Sequence, residues 1–398
     1  MKIVHVITSI DPDSGGPQAV VMRLAAAQAS LGHDVRVVSQ ADDRTLASVA
    51  RLGAAIPGFQ RVVWHILPPP GTIEAILCLK ARPFLTRVLA DSSQVHLHGV
   101  WEPILACAAA IATRNGIPYC VCPAGMLDTW SLSQKPWKKR VALAVAFRRM
   151  LDGAAFLHAL NHDEVKLMRP LHLKAPAEII PNGVFTEEFE TLPAAADFPA
   201  LIGLPAGRRF VLFLSRLHYK KGLDLLASAF QLVARQCPDV DLVVAGPDGG
   251  AEDDFRDLVR RFGLEHRVFM VGPIYGDIKL KAFAAAACFC LPSRQEGFSI
   301  AITEALACGT PVVITGACHF PEVAAAGAGA VVSLDPMEIA TAVIDVLSHP
   351  LAATAMGYKG RRLVFENYTW PQIARRTISL YNAYSPKTEN PGLTAATR

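Results

Sequence analysis

Two glutamates eight positions apart, Glu296 and Glu304, lie within "RQEGFSIAITEALACGTPVV" at 294–313. An unpaired carboxylate in an apolar setting is costly, so each needs a partner or a purpose. Ser299 precedes the apolar run from Ile300 and suits a helix N-cap. The backbone N–H groups of Phe298, Ser299 and Ile300 would then form a cradle for an anion. Glu296, ahead of the helix, is placed to reach a ligand's hydroxyls. Glu304, inside it, can accept a pair of hydroxyls, and its neighbours Ala301, Ile302, Ala305 and Leu306 argue against an exposed helix face.

A second constellation is "FLSRLHYKKGLDLL" at 213–226. Arg216 leaves the end of an apolar run, and Lys221 stands before a glycine that opens a helical pattern. Arginine grips two oxygens and lysine acts as a point charge, so the two make a clamp for a diphosphate. Taken alone the segment reads better as a solvated basic loop. In "DPDSGGPQAV" at 11–20, Gly15-Gly16 lets the backbone approach a ligand, and Pro17 starts a helix whose free N–H groups favour an anion. The spacing is not G-x-G-x-x-G, so a dinucleotide fingerprint is not met.

In "QVHLH" at 94–98, His96 and His98 share one face of a strand. His98, at its carboxyl end, is either a group that orients a hydroxyl or a packed histidine satisfied by backbone. No third ligand lies nearby in sequence, so no metal site is expected there. Asp11-Pro12-Asp13 and Asp239-Val240-Asp241 fit D-x-D, a short metal-binding pattern, and both are read as chance matches.

These groups need elements to hold them. Short apolar runs alternate with amphipathic or Ala-rich stretches, the pattern of βα units and parallel sheets. Strands are expected at Lys2–Ile7, Asp34–Ser39, Val62–Leu67, Gln94–His98, Tyr119–Cys122 and Ala155–Ala159. The pattern restarts with Arg209–Leu214, Val240–Ala245, Arg267–Val271, Cys288–Leu291 and Pro311–Ile314. Helices are expected at Gln18–Ser30, Glu102–Arg114, Trp137–Leu151, Gly222–Gln236, Glu252–Phe262 and Asp277–Ala286. With 398 residues the chain is too long for one core. The expected domains are 1–185, a Pro/Ala/Gly-rich linker at 186–208, a second domain at 209–368, and a C-terminal helix with a polar tail at 369–398, packing back on the first. The fold class is α/β, two doubly wound domains, with ligands at the carboxyl ends of the strands.

Hydrophobic residues make up 52% and charged ones 19%, which excludes disorder. A formal charge of +4 is too mild to imply nucleic acid. Cys120/Cys122 and Cys288/Cys290 fall on strand-like runs, as buried thiols in a reducing compartment do. No uncharged apolar run approaches the ~18 residues of a membrane span, and the start "MKIVHVITSI" is poorly flanked for a signal peptide. A cytoplasmic protein is expected. The stretch 133–151 mixes Lys and Arg with apolar residues at helical spacing. That suits either a solvated basic edge or a peripheral contact with anionic membrane.

The combination resembles the retaining glycosyltransferases of family four, the glycogen-synthase-like group 1 enzymes of GT-B fold. It covers nearly the whole chain: Gly15-Gly16, "HGVW" at 98–101, "IIPNGV" at 179–184, Arg216 with Lys221-Gly222, the E-x7-E pair Glu296 and Glu304, and "EALACGTPVV" at 304–313. The resemblance implies two Rossmann-like domains facing a cleft, with the donor on the second domain. Gly16 would offer its backbone to the donor's phosphate, Arg216 and Lys221 would neutralise the diphosphate, and Glu296 would take the sugar hydroxyls. The backbone of Gly297, Phe298 and Ser299 would hold sugar and phosphate, and Glu304 the ribose. It further implies a metal-independent transfer of a hexose from a nucleotide-diphosphate sugar to a glycan or lipid-linked acceptor in surface polysaccharide biosynthesis. No separate cofactor is implied. One departure stands out: relatives carry a histidine where "CPAGMLDTW" has Ala124. That keeps open an inactive nucleotide-sugar-binding scaffold; a nucleotide-sugar epimerase is disfavoured by the E-x7-E pattern.

Overall fold

The computed structural model describes residues 1–11, 16–134 and 136–385, apart from the side chains of 129, 130 and 136. The chain forms two compact units. The first comprises Met1–Ala159, Val165–Ile180 and the chain from Ile373; the second comprises Leu160–Glu164 and Pro181–Gln372.

The first unit has strands β1 (Lys2–Ser9), β2 (Asp34–Gln40), β3 (Val63–Leu67), β4 (Gln94–His98), β5 (Tyr119–Cys122), β6 (Phe156–Ala159) and β7 (Ala177–Ile179). They make one parallel sheet in the order β3-β2-β1-β4-β5-β6-β7. The second has β8 (Arg209–Leu214), β9 (Val240–Ala245), β10 (Val268–Gly272), β11 (Cys288–Leu291), β12 (Val312–Thr315) and β13 (Gly329–Val332). Its parallel order is β10-β9-β8-β11-β12-β13. In each sheet the order reverses once, between β1 and β4 and between β8 and β11. The carboxyl ends of those four strands are where a doubly wound sheet leaves room for a ligand.

The two faces of the first sheet differ sharply. Val4, Val6, Val95, Leu97, Tyr119, Val121 and Leu157 point one way, into an apolar core. The alternate positions point the other way and carry His5, His96, His98 and His158, all buried. Register sets His5 beside His96 and His96 beside Cys120. The second unit packs its core on both faces, from Phe213 and Val243 to Ile302 and Val313. Residues 186–208 contribute Phe189 and Phe198 to that core. The C-terminal helix, Trp370–Tyr384, brings Tyr381 to the histidine face of the first unit.

Strands β4, β5, β8, β9 and β11 have the expected bounds. Two short edge strands, β7 and β13, were not expected; three or four residues leave too little pattern. The stretch expected as one helix at Trp137–Leu151 is α-helical at Pro136–Ala142 and Arg148–Asp152, with a π-helical turn at Leu143–Phe147 between them. That turn re-aims the face, so that Phe147 is buried while Val145 is 83% exposed. No single helix among the described residues is long and apolar enough to cross a membrane.

Candidate functional site

In the second unit the loops after β8 and β11 meet at the point where strand order reverses. From β8 the chain runs through Ser215 and Arg216 to a tight turn at Tyr219–Lys221, then Gly222 in the left-handed region at φ +70°. A Cβ at 222 would stand 2.0 Å from the carbonyl oxygen of Pro292, so only glycine lets the loops come this close. Three consecutive residues of the β11 loop then pair with the β8 loop or with the first turn of the helix Leu223–Gln236 that follows it. Arg294 donates to both oxygens of Asp224, at 2.7 and 2.6 Å, and its guanidinium lies 4.3 Å over the Tyr219 ring. Lys220 donates to Gln295 at 2.9 Å. Lys221 donates to both oxygens of Glu296, at 2.6 and 2.8 Å.

Glu296 is buried, and it also accepts from Ser293 Oγ at 2.6 Å. The carbonyl of Gly297 accepts from Asn161 at 2.6 Å. Phe298 packs its ring against Phe320 and Tyr368. Ser299 occupies the N-cap position of the helix Ile300–Ala307, but its hydroxyl makes no capping bond, a departure from the expected cap. Within that helix Glu304 is buried and accepts from Lys279 Nζ at 2.6 Å. Arg216 is exposed, with its stem packed over Gly249.

The structure therefore brings together Lys221, Glu296, Gly297, Phe298, Ser299 and Glu304 around one helix start, with Arg216 on the adjoining loop. It also adds Lys279, Arg294, Ser293, Asp224 and Asn161, which sequence reading missed. A buried Glu304 does signal that a cation must exist. Nothing local, however, points to Lys279, which is 25 positions away on the helix Gly276–Ala285.

In the first unit, Gly16 opens the helix Gly16–Ser30 beyond β1, with open space around it. Gly15 and two residues of Asp11-Pro12-Asp13 lie outside the described residues. The other D-x-D match sits at the amino end of β9. There Asp239 pairs with Arg209, and Asp241 with Arg208 and Arg267, so both aspartates serve the framework.

His98 ends β4 and belongs to a buried cluster. Its Nε2 lies 2.9 Å from His5 Nδ1, and His5 Nε2 lies 2.7 Å from Gln28 Oε1. Tyr381 Oη is 3.4 Å from Gln28 Nε2 and 2.7 Å from His96 Nδ1. His158 Nδ1 is 3.1 Å from His96 Nε2, and His158 Nε2 is 2.7 Å from the carbonyl of Ile180. Burial pushes the pKa of His5 and of His158 down to about 4, and those of His96 and His98 well below the ordinary value. The third imidazole that the sequence lacked near His96 and His98 comes from β1. Ring nitrogens of His5, His96 and His98 lie within 4.8 Å of one another. Both nitrogens of His5 and of His96 are taken by hydrogen bonds, however, so a cation would have to displace them.

At position 124, in the loop after β5, Ala124 is held in the left-handed region at φ +49°, followed by Gly125 at φ +79°. A non-glycine residue there carries strain, which persists only where the surroundings impose it.

Two family models match in succession. Residues 15–183 match the glycosyl transferase 4-like domain, and residues 197–363 match glycosyl transferases group 1. A phosphatidyl-myo-inositol mannosyltransferase of Mycolicibacterium smegmatis is 27% identical over 386 residues, covering 93% of this chain and 91% of the relative. A GDP-mannose-dependent phosphatidylinositol monomannoside mannosyltransferase of the same organism is 36% identical over 217 residues, covering 52% and 56%. Several such relatives are matched over only about half their length. Among solved structures, Anabaena HepE in complex with UDP and glucose has a TM-score of 0.77 at 18% identity, covering 96% of this chain and all of that one. Sucrose-phosphate synthase of Thermosynechococcus elongatus has a TM-score of 0.73 at 20% identity, covering 96% and 99%. The fold is thus GT-B, and the chain belongs to the group 1 glycosyltransferases.

Proposed function

We propose that the chain transfers a sugar from a nucleotide-diphosphate sugar to a hydroxyl of a glycan or lipid-linked acceptor, with retention at the anomeric carbon, in the assembly of a surface polysaccharide or glycolipid. The observation that carries this reading is the Lys221–Glu296 pair at the reversal point of the second sheet. Lys221 has three N–H bonds, and serving both oxygens of Glu296 leaves one for a phosphate oxygen. Arg216 and the start of the helix Ile300–Ala307 add positive potential at the same place. Glu296 keeps lone pairs for sugar hydroxyls, and Glu304 keeps Oε2 for a ribose diol while Lys279 holds Oε1.

The bond between the anomeric carbon and the diphosphate oxygen breaks, and its electron pair leaves with the nucleotide diphosphate. The acceptor oxygen bonds to the same face of that carbon, and the hydroxyl proton passes to the departing phosphate. Negative charge grows on the diphosphate, where Arg216 and Lys221 stabilise it. Loss of one such preorganised donor costs about 2.7–4 kcal/mol of barrier. On this reading transfer is metal-independent and survives chelation by EDTA.

Relatives named for phosphatidylinositol and for lipopolysaccharide core support a lipid-linked acceptor. Trp137, Val141 and Val145 are exposed beside Lys138 and Arg140 on the helical stretch from 136, which suits the surface of an anionic vesicle. Flotation with phosphatidylglycerol vesicles checks this: binding lost in Trp137→Ser with Val145→Ser supports the contact, and no binding by the wild type removes it.

The main test is thermal unfolding against GDP-mannose, UDP-glucose and UDP-N-acetylglucosamine, beside Glu304→Ala. A donor at about 100 times its dissociation constant stabilises the native state by ~2.7 kcal/mol. Stabilisation by one donor, lost in the variant, supports the site. Product analysis by NMR then reads retention. Binding without turnover would favour the inactive scaffold that Ala124 suggests, and no binding by any donor would overturn the reading.

A further inference from the structure

The histidine face of the first sheet has a direction. Burial keeps these rings neutral, so each carries one hydrogen on nitrogen. The carbonyl of Ile180 only accepts, so His158 Nε2 bears the hydrogen and His158 Nδ1 is bare. His96 Nε2–H therefore donates to it, which leaves His96 Nδ1 bare. Tyr381 O–H donates to that nitrogen, and Gln28 Nε2–H donates to Tyr381 Oη. Gln28 Oε1 then accepts from His5 Nε2–H, which leaves His5 Nδ1 bare. The remaining donor is His98 Nε2–H. Every bond along the chain agrees with this single direction, and it ends with a bare Nδ1 on His98.

That nitrogen makes no hydrogen bond among the described residues. It stands at the carboxyl end of β4, on one side of the reversal point in strand order. Next to it, Gly99 at φ +108° admits a second unpartnered group: a Cβ there would lie 3.0 Å from Oε2 of Glu102. Oε2 of Glu102 is buried with no hydrogen bond, and burial pushes its carboxyl pKa up. Leaving a buried polar atom unmatched is costly, and native proteins keep few of them.

We propose that His98 Nδ1 and the Glu102 carboxyl form a binding site for the hydroxyls of a polyol, a sugar or cyclitol, and that Tyr381 and Gln28 are positioning residues that lock His98 in the tautomer this site needs. One hydroxyl donates to His98 Nδ1. A neighbouring hydroxyl meets Glu102, which can accept or, when protonated, donate. This rests on the transferase reading for its biological meaning, since such a polyol would be the sugar acceptor. The geometry itself belongs to the first unit alone.

The experiment is histidine-nitrogen NMR on the full chain, labelled at histidine and assigned with His98→Gln. At neutral pH the wild type is expected to show hydrogen on Nε2 and a bare Nδ1 on His98. Tyr381→Phe, or Gln28→Leu if the first variant fails to fold, is expected to populate both tautomers. Titration with myo-inositol and with D-mannose as polyol probes is expected to shift the His98 Nδ1 resonance in the wild type and not in Glu102→Ala. A protonated Nδ1 in the wild type overturns the lock, as does a single unchanged tautomer in both variants. No shift with either polyol overturns the site. These readings need no turnover, so a failure of donor binding would overturn the transferase reading separately.

Discussion

Lys221 Nζ sits 2.6 and 2.8 Å from the two oxygens of Glu296 and ties the loop after β8 to the loop after β11. The pair has two jobs, and they can be separated. Structurally, it neutralises a buried carboxylate. On the proposed function it would also set a cation for the diphosphate, beside that of Arg216, next to the carboxylate that a sugar would meet.

Lys221→Ala leaves Glu296 with Ser293 as its remaining side-chain partner. The expected loss of stability is about 1–3 kcal/mol, the cost of a buried acceptor losing its donor. Lys221→Ala with Glu296→Ala should recover part of that loss, because the two share one interaction. Transfer should fall at least about a hundredfold in either single variant and stay low in the double. Urea unfolding and initial rates read both. Normal turnover in the double variant would detach the pair from chemistry.

The Glu304–Lys279 pair predicts a different pattern. Lys279 holds Oε1 from a neighbouring helix, so Lys279→Met keeps the stem and removes the charge. Glu304 is then free to rotate. Donor affinity is expected to fall about tenfold, the size of one charged hydrogen bond, with little change in kcat. Glu304→Gln should weaken the nucleoside diphosphate alone as much as the full donor sugar, since the ribose is common to both. Calorimetry with UDP or GDP against the matching nucleotide sugar checks this. A loss confined to the sugar nucleotide would move Glu304 to the sugar end.

These two pairs show what the sequence made legible. Glu296, Glu304, Arg216 and Lys221 stood out because charges next to apolar runs need an explanation, and strands β8 and β11 could be read from their apolar runs. The partners could not be read. Arg294 lies 70 positions from Asp224 and Lys279 25 from Glu304, so only the tertiary packing of helices and loops brings them together. The histidine chain was hidden more deeply. His96 and His98 shared a strand and were noticed, but His5, His158, Gln28 and Tyr381 arrive from four other elements. Phe189 and Phe198 were masked by the prolines and alanines around them, although they fill the second core.

Acid should act on the histidine face first. His5 and His158 titrate near 4 in the folded chain and near 6.5 when unfolded. Between those values the unfolded chain binds more protons, so stability falls as pH is lowered from about 6.5 and the loss is complete near 4. His5 alone accounts for roughly 3 kcal/mol across that window. His5→Gln should flatten the fall without abolishing it. Urea midpoints at a series of pH values test this; a flat profile from 7 to 4 would mean that the rings are charged or solvated in the native state.

Ala124 offers a test of the missing histidine. Its φ of +49° is a conformation that alanine adopts at a cost and that histidine, asparagine and aspartate adopt more readily. That backbone suits the histidine that the family resemblance implies at this position. Ala124→Gly should stabilise the chain by about 0.5–1 kcal/mol, the relief of strain less the entropy regained by the unfolded chain. Ala124→His should fold as well as the wild type. If a hydrogen-bonding or proton-transferring group is what the loop lacks, the same variant should raise kcat by about a hundredfold with donor affinity unchanged. Unchanged kcat in a well-folded Ala124→His would show that the chain works without that group, leaving proton removal to the donor's own phosphate.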